Sequence, residues 1–67
     1  MITPEEIKAL RKRLGRSRPS FAAIVGTTLM TIGRWERGDT KPMKIFEQRL
    51  RKLEEYAEQK DQAEEKK

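Results

Sequence analysis

Met30, Gly33, Arg34 and Arg37 follow the i, i+3, i+4, i+7 spacing of one helix face. That face carries two guanidinium groups, a thioether, a position with no side chain, and no carboxylate. A guanidinium fork donates paired hydrogen bonds to a carboxylate, a phosphate, or the O6/N7 edge of a guanine. Such a face binds; it breaks no covalent bonds. The residues best suited to bond-breaking are missing elsewhere too. The chain has no histidine and no cysteine, which removes the common general base, the usual zinc ligands and the thiolate nucleophile. Glu54, Glu55 and Glu58 fall on a polar helix surface and read as solvated charge, against the rival reading of a metal or acid–base site. The sequence therefore predicts no catalytic residue, no metal and no cofactor.

The face needs a helix to carry it. Residues 28–37 supply one, with Thr28 as N-cap, Ile32 and Trp35 on the opposite side, and Gly38 as the stop. A second short helix precedes it over residues 17–26. Ser17 caps it, Pro19 fits its first turn, and Phe21, Ala22, Ile24 and Val25 make its apolar side. Gly26 ends it in a turn that favours a residue without a Cβ. Two short helices across a glycine turn, the second showing arginines outward, have the architecture of a helix-turn-helix that enters the major groove of DNA. The motif spans Ser17 to Gly38.

Residues 1–16 read as a first helix. Thr3 is its N-cap, Pro4 its first residue, and Glu6 completes a capping box. Ile2 and Ile7 are spaced as a hydrophobic staple, and Gly15 marks the stop. The apolar stripe Ile7, Leu10, Leu14 includes Arg11. An arginine there either extends its head to water or meets an acid in a partly buried ion pair. Glu36, the only acid in Ser17–Gly38, is the candidate partner. Residues 38–42 are a loop by composition. Residues 43–57 read as a fourth helix with a seam of Met43, Phe46, Leu50, Leu53 and Ala57. Phe46 and Leu50 belong to the core, whereas Leu53, Tyr56 and Ala57 are placed to meet a second subunit. Residues 58–67 contain one apolar residue, Ala63, and are expected to form a flexible charged tail. The fold class is all-α, with a four-helix domain over 1–57.

The 67 residues make one small domain. Leu, Ile, Val and Phe number 13, all before residue 54. A core this small supplies only about 3–5 kcal/mol unaided, so a second copy would help. Residues 1–53 carry 13 basic and 5 acidic side chains, and residues 54–67 carry 3 and 6. A basic body with an acidic end suits a polyanion partner. No apolar run is long enough to span a bilayer and no signal-peptide pattern follows Met1, so a cytoplasmic location is expected.

Phe21-Ala22, Val25-Gly26, Ile32 and the run Arg34-Trp35-Glu36-Arg37-Gly38 resemble the helix-turn-helix of Cro/CI-type (XRE-family) DNA-binding domains. The resemblance covers roughly Thr3 to Glu54 and implies a small lambda-repressor-like fold. Arg18 stands where the family commonly has glutamine. Ser20 stands where it often has glutamate, which costs the second helix its capping box. The resemblance places base-contacting side chains at Leu29, Met30 and Arg34. Arginine at 34 matches a guanine, Leu29 and Met30 offer apolar surface to thymine methyl groups, and Gly33 allows close approach of the backbone. Thr28 and Thr31 add hydroxyls for a base edge or a phosphate. Ser17, Arg18, Arg37, Lys41 and Lys44 are implied as phosphate contacts, and Arg11 and Glu36 as a structural link between the first and third helices.

The function expected is a sequence-specific double-stranded DNA binder, a small bacterial or phage-type regulator such as a repressor. It would bind as a homodimer on half-sites about 34 Å apart. The rivals are a DNA-binding antitoxin that holds a protein partner through its C-terminal segment, and an interaction adaptor that keeps the fold without DNA. RNA is disfavoured, because no exposed aromatic platform is evident.

Overall fold

The computed structural model describes the backbone of residues 2–65 and the side chains of residues 2–60. Four helices follow in order: α1 (Pro4–Arg13), α2 (Arg18–Val25), α3 (Leu29–Arg37) and α4 (Lys44–Glu65). No strand occurs among the described residues.

Local chemistry sets most of the helix ends. At α1 the Thr3 hydroxyl accepts from the Glu6 amide at 3.1 Å, and the Glu6 carboxylate accepts from the Thr3 amide at 2.9 Å. That reciprocal box satisfies two N–H groups that the helix cannot. Ser17 and Thr28 cap α2 and α3 through single hydroxyl bonds, to the Ser20 and Thr31 amides. α1 closes at Arg13, three residues short of the predicted end. Leu14 is its C-cap; the Gly15 amide then bonds Lys12 O and the Arg16 amide bonds Arg11 O, a Schellman closure. α4 runs further than predicted, through Glu65. Its last two turns are built from Glu, Gln, Lys, Asp and Ala, most of them strong helix formers. The expected flexible tail at 58–67 falls largely on side chains outside the described ones.

The core is one cluster. Ile7 and Leu10 of α1, Phe21, Ala22 and Val25 of α2, Ile32 and Trp35 of α3, and Leu50 and Ala57 of α4 are buried, with Ile2 packed beside them. Phe21, Ile32 and Leu50 have no exposed surface at all. Each such side chain contributes roughly 1.5–3 kcal/mol by leaving water. Trp35 and Phe46 meet at 5.6 Å between ring centres, tilted by 53°, which fastens α4 to α3. Arg51 joins α4 to α1 through Glu6 at 3.2 Å and also bonds Glu54 at 2.7 Å.

Three apolar residues are placed differently from the sequence expectation. Ile24, assigned to the inner side of α2, is 43% exposed. The buried direction is set by Phe21, Ala22 and Val25, and Ile24 points about 100° around the helix from Val25. Met43, assigned to the α4 seam, is 68% exposed, because α4 starts one residue later and Met43 is outside its helical register. Ala57, assigned outward with Leu53 and Tyr56, is buried. Tyr56 is exposed and Leu53 half-buried, so only those two remain at the surface.

Candidate nucleic-acid interface

α3 is divided along its length. Ile32, Trp35 and Glu36 are buried. On the other side Leu29, Met30, Arg34 and Arg37 are exposed and Gly33 is half-exposed. Glycine costs about 1 kcal/mol in a helix interior, and here it makes room. A Cβ at Gly33 would lie 3.2 Å from Arg37 Nη1, so its absence lets that guanidinium lie across the helix. Arg37 is held at its other side by Asp39, 3.0 Å from Nε. At the first turn, the Thr28 and Thr31 hydroxyls sit 3.0 Å apart as part of the cap.

Arg18, Leu29, Met30, Gly33 and Arg37 line one open cleft of about 310 Å³ between the start of α2 and the outer face of α3. The structure thus brings two expected phosphate contacts beside three expected base readers. Arg34 projects from the same helix but does not line that cleft. Lys41 lies apart, on a recess of about 370 Å³ with Ile2, Pro4, Trp35 and Pro42. Lys44 is exposed at the start of α4, and Ser17 is exposed while capping α2.

Arg11 and Glu36 meet. Arg11 Nε lies 2.8 Å from Glu36 Oε2, and Nη2 lies 3.2 Å from Oε1. Arg11 Nη1 also reaches Arg16 O at 3.4 Å. The Glu36 side chain is only 2% exposed and that of Arg11 14%. Among the described residues no buried side-chain polar atom lacks a partner. Burial alone pushes the Glu36 carboxyl up, but bonds from Arg11 and then Arg18 outweigh it and hold it below the ordinary glutamate range.

Of the contacts the sequence did not predict, two lie closest to the motif. Arg18 Nε donates to Glu36 Oε1 at 3.2 Å, with the arginine side chain half-exposed. The signal available was that a buried carboxylate has two oxygens and about four acceptor sites, more than one arginine fills. Arg49 of α4 donates from Nη1 to Val25 O at 2.9 Å and stacks over Phe46. The i, i+3 pair Phe46–Arg49 was its only trace in the sequence.

No helix among the described residues is long and apolar enough to cross a membrane. Neither the search of curated proteins nor that of solved structures gives a match. A family model described as helix-turn-helix matches residues 7–58, from within α1 to beyond the last buried residue of α4. That match covers well over half of the chain and takes in the glycine turn, the divided third helix and the Arg11–Glu36 link, so the chain belongs to the Cro/CI-type (XRE-family) helix-turn-helix domains.

Proposed function

We propose that this DNA-binding domain is a sequence-specific transcriptional regulator that inserts α3 into the major groove of double-stranded DNA. One observation carries the reading: Leu29, Met30 and Arg34 are exposed along one side of α3, while its other side is committed to the core. Arg34 would bond a guanine O6/N7 edge, and Leu29 and Met30 would cover thymine methyl groups. Gly33 would admit the backbone to the groove once the Arg37 guanidinium that lies across it turns to a phosphate, and Thr28 would offer its hydroxyl, shared with the α3 cap, to a base edge. Ser17, Arg18, Thr31, Arg37, Lys41 and Lys44 would hold the sugar-phosphate backbone on either side.

A single copy offers few base contacts, so we infer a homodimer spanning two half-sites about 34 Å apart. Exposed Ile24 and Tyr56 and half-buried Leu53 border one recess and would serve that contact. Occupying an operator would make the protein a repressor by excluding other proteins from it, in the cytoplasm of the cell.

Selection of preferred sites from a random duplex pool tests this directly. An inverted repeat with a G·C pair in each half-site is expected. Recovery of no preferred sequence would overturn sequence-specific reading. If affinity for every duplex were also insensitive to salt, the adaptor reading would replace it.

A further inference from the structure

We propose that Glu36 is a positioning residue for DNA binding: by taking the Nε hydrogen bond of Arg18, it fixes that guanidinium at the mouth of the α2–α3 cleft and leaves the terminal nitrogens for a phosphate. The inference rests on the DNA-binding reading of that face.

The geometry divides the carboxylate unequally. Arg11 supplies a bidentate pair from inside, which already neutralises the buried charge. Arg18 adds a third bond from outside, to the oxygen that Arg11 Nη2 also reaches. The fold has little need of that bond for neutrality, since two arginines on one carboxylate leave a net positive charge. Its effect falls on Arg18. A half-exposed arginine at the first turn of a helix otherwise samples many rotamers. Held by Nε, it lines the cleft with its side chain half exposed. Ordering a free arginine on binding corresponds to roughly a two- to tenfold loss of affinity, and prior restraint removes that loss. The arrangement needs a fork. Arginine can give Nε to Glu36 and its other nitrogens to a phosphate, whereas lysine has one nitrogen for both.

The test compares the full chain with Arg18→Ala and Arg18→Lys on a 20-base-pair duplex of random sequence, by fluorescence anisotropy across a salt series. Melting midpoints provide a folding control. Arg18→Ala should weaken binding and lower the salt slope by about 0.9. Arg18→Lys should restore the salt slope, since it keeps the charge, but should remain about two- to tenfold weaker than the parent because it lacks the restraint. In a second arm, Glu36→Gln should weaken binding in the Arg18 protein and have no further effect in the Arg18→Ala background. Should Glu36→Gln fail to fold, the lysine comparison decides alone. Full recovery by lysine, or no effect of Arg18→Ala, overturns the inference while leaving the DNA-binding reading in place. Failure of the parent protein to bind any duplex would overturn both.

Discussion

Arg49 Nη1 lies 2.9 Å from the carbonyl oxygen of Val25, so the fourth helix closes the end of the second. That carbonyl is one of the last four of α2, which have no partner within their own helix. The same guanidinium stands 5.6 Å from the centre of the Phe46 ring. A Cβ on Gly26 would fall 2.6 Å from Arg49 Nη1, and Gly26 has φ +89°. The turn of the motif is therefore set by local backbone freedom and by a side chain that reaches it from 23 residues away in sequence.

Gly26→Ala should destabilise the fold by about 1–2 kcal/mol from the left-handed backbone alone, with more from the contact to Arg49. Arg49→Ala should cost about 1 kcal/mol. In the double variant the steric part disappears and the backbone part stays, so the total should be less than the sum. Urea unfolding of the four proteins measures this. A neutral Gly26→Ala would mean the turn takes another conformation.

Arg11→Met and Glu36→Gln should each destabilise strongly, since removing one partner of a buried pair costs roughly 3–5 kcal/mol. The double change should cost less than the two added together. Additive losses would show that the two side chains do not act on each other.

The Glu36 pair also gives the fold a pH dependence. Its carboxyl titrates below the ordinary value when folded. The resulting stability is fully present above about pH 4.3, the unfolded value, and is lost as pH falls through the lowered folded value. Thermal midpoints between pH 7 and pH 3 should drop on the acid side, and Glu36→Gln should flatten that limb. An unchanged acid limb in the variant would assign the loss to other carboxylates, Glu6 first, which is lowered by its Thr3 backbone bond and by Arg51.

Arg34→Ala should cost about 1–3 kcal/mol on the preferred duplex and relax the preference at one base pair. Lys41→Ala should instead weaken all duplexes alike and flatten the salt slope. Competition binding with single-base variants of the selected site separates the two. An Arg34→Ala loss equal on every duplex would make Arg34 a phosphate anchor.

Truncation after Glu58 should leave the melting midpoint nearly unchanged, because Ala57 is the last buried residue described. A drop of more than a few degrees would show that the end of α4 packs, across a dimer or against its own body.

The starts of α1, α2 and α3 and the ends of α2 and α3 were legible because their signals are local, whereas the ends of α1 and α4 were not. Thr3 and Glu6, Ser17, Thr28, Gly26 and Gly38 each act within four residues of where they stand. Arg11 was legible for a different reason: a charge on an apolar stripe demands a partner, and only one acid was suitably placed. Arg18–Glu36 and Arg49–Val25 were not, since side chains that reach across 18 and 24 residues leave no periodic trace. Ile24 shows another limit. Apolar character says a residue can be buried, but whether anything stands opposite depends on the angle at which helices cross.

The lengthwise division of α3 has a consequence for how such a protein can change. Ile32, Trp35 and Glu36 hold the domain together, whereas Leu29, Met30 and Arg34 are exposed and, among the described residues, donate no side-chain hydrogen bond to the rest of the chain. Exposed helix positions of this kind typically tolerate substitution within about 0.5 kcal/mol. Under the proposed reading, a new target sequence can then be acquired one base pair at a time with the folded body unaltered. In such a helix, Glu36 apart, the chemistry proposed for recognition and the chemistry of folding fall to different residues among the same nine.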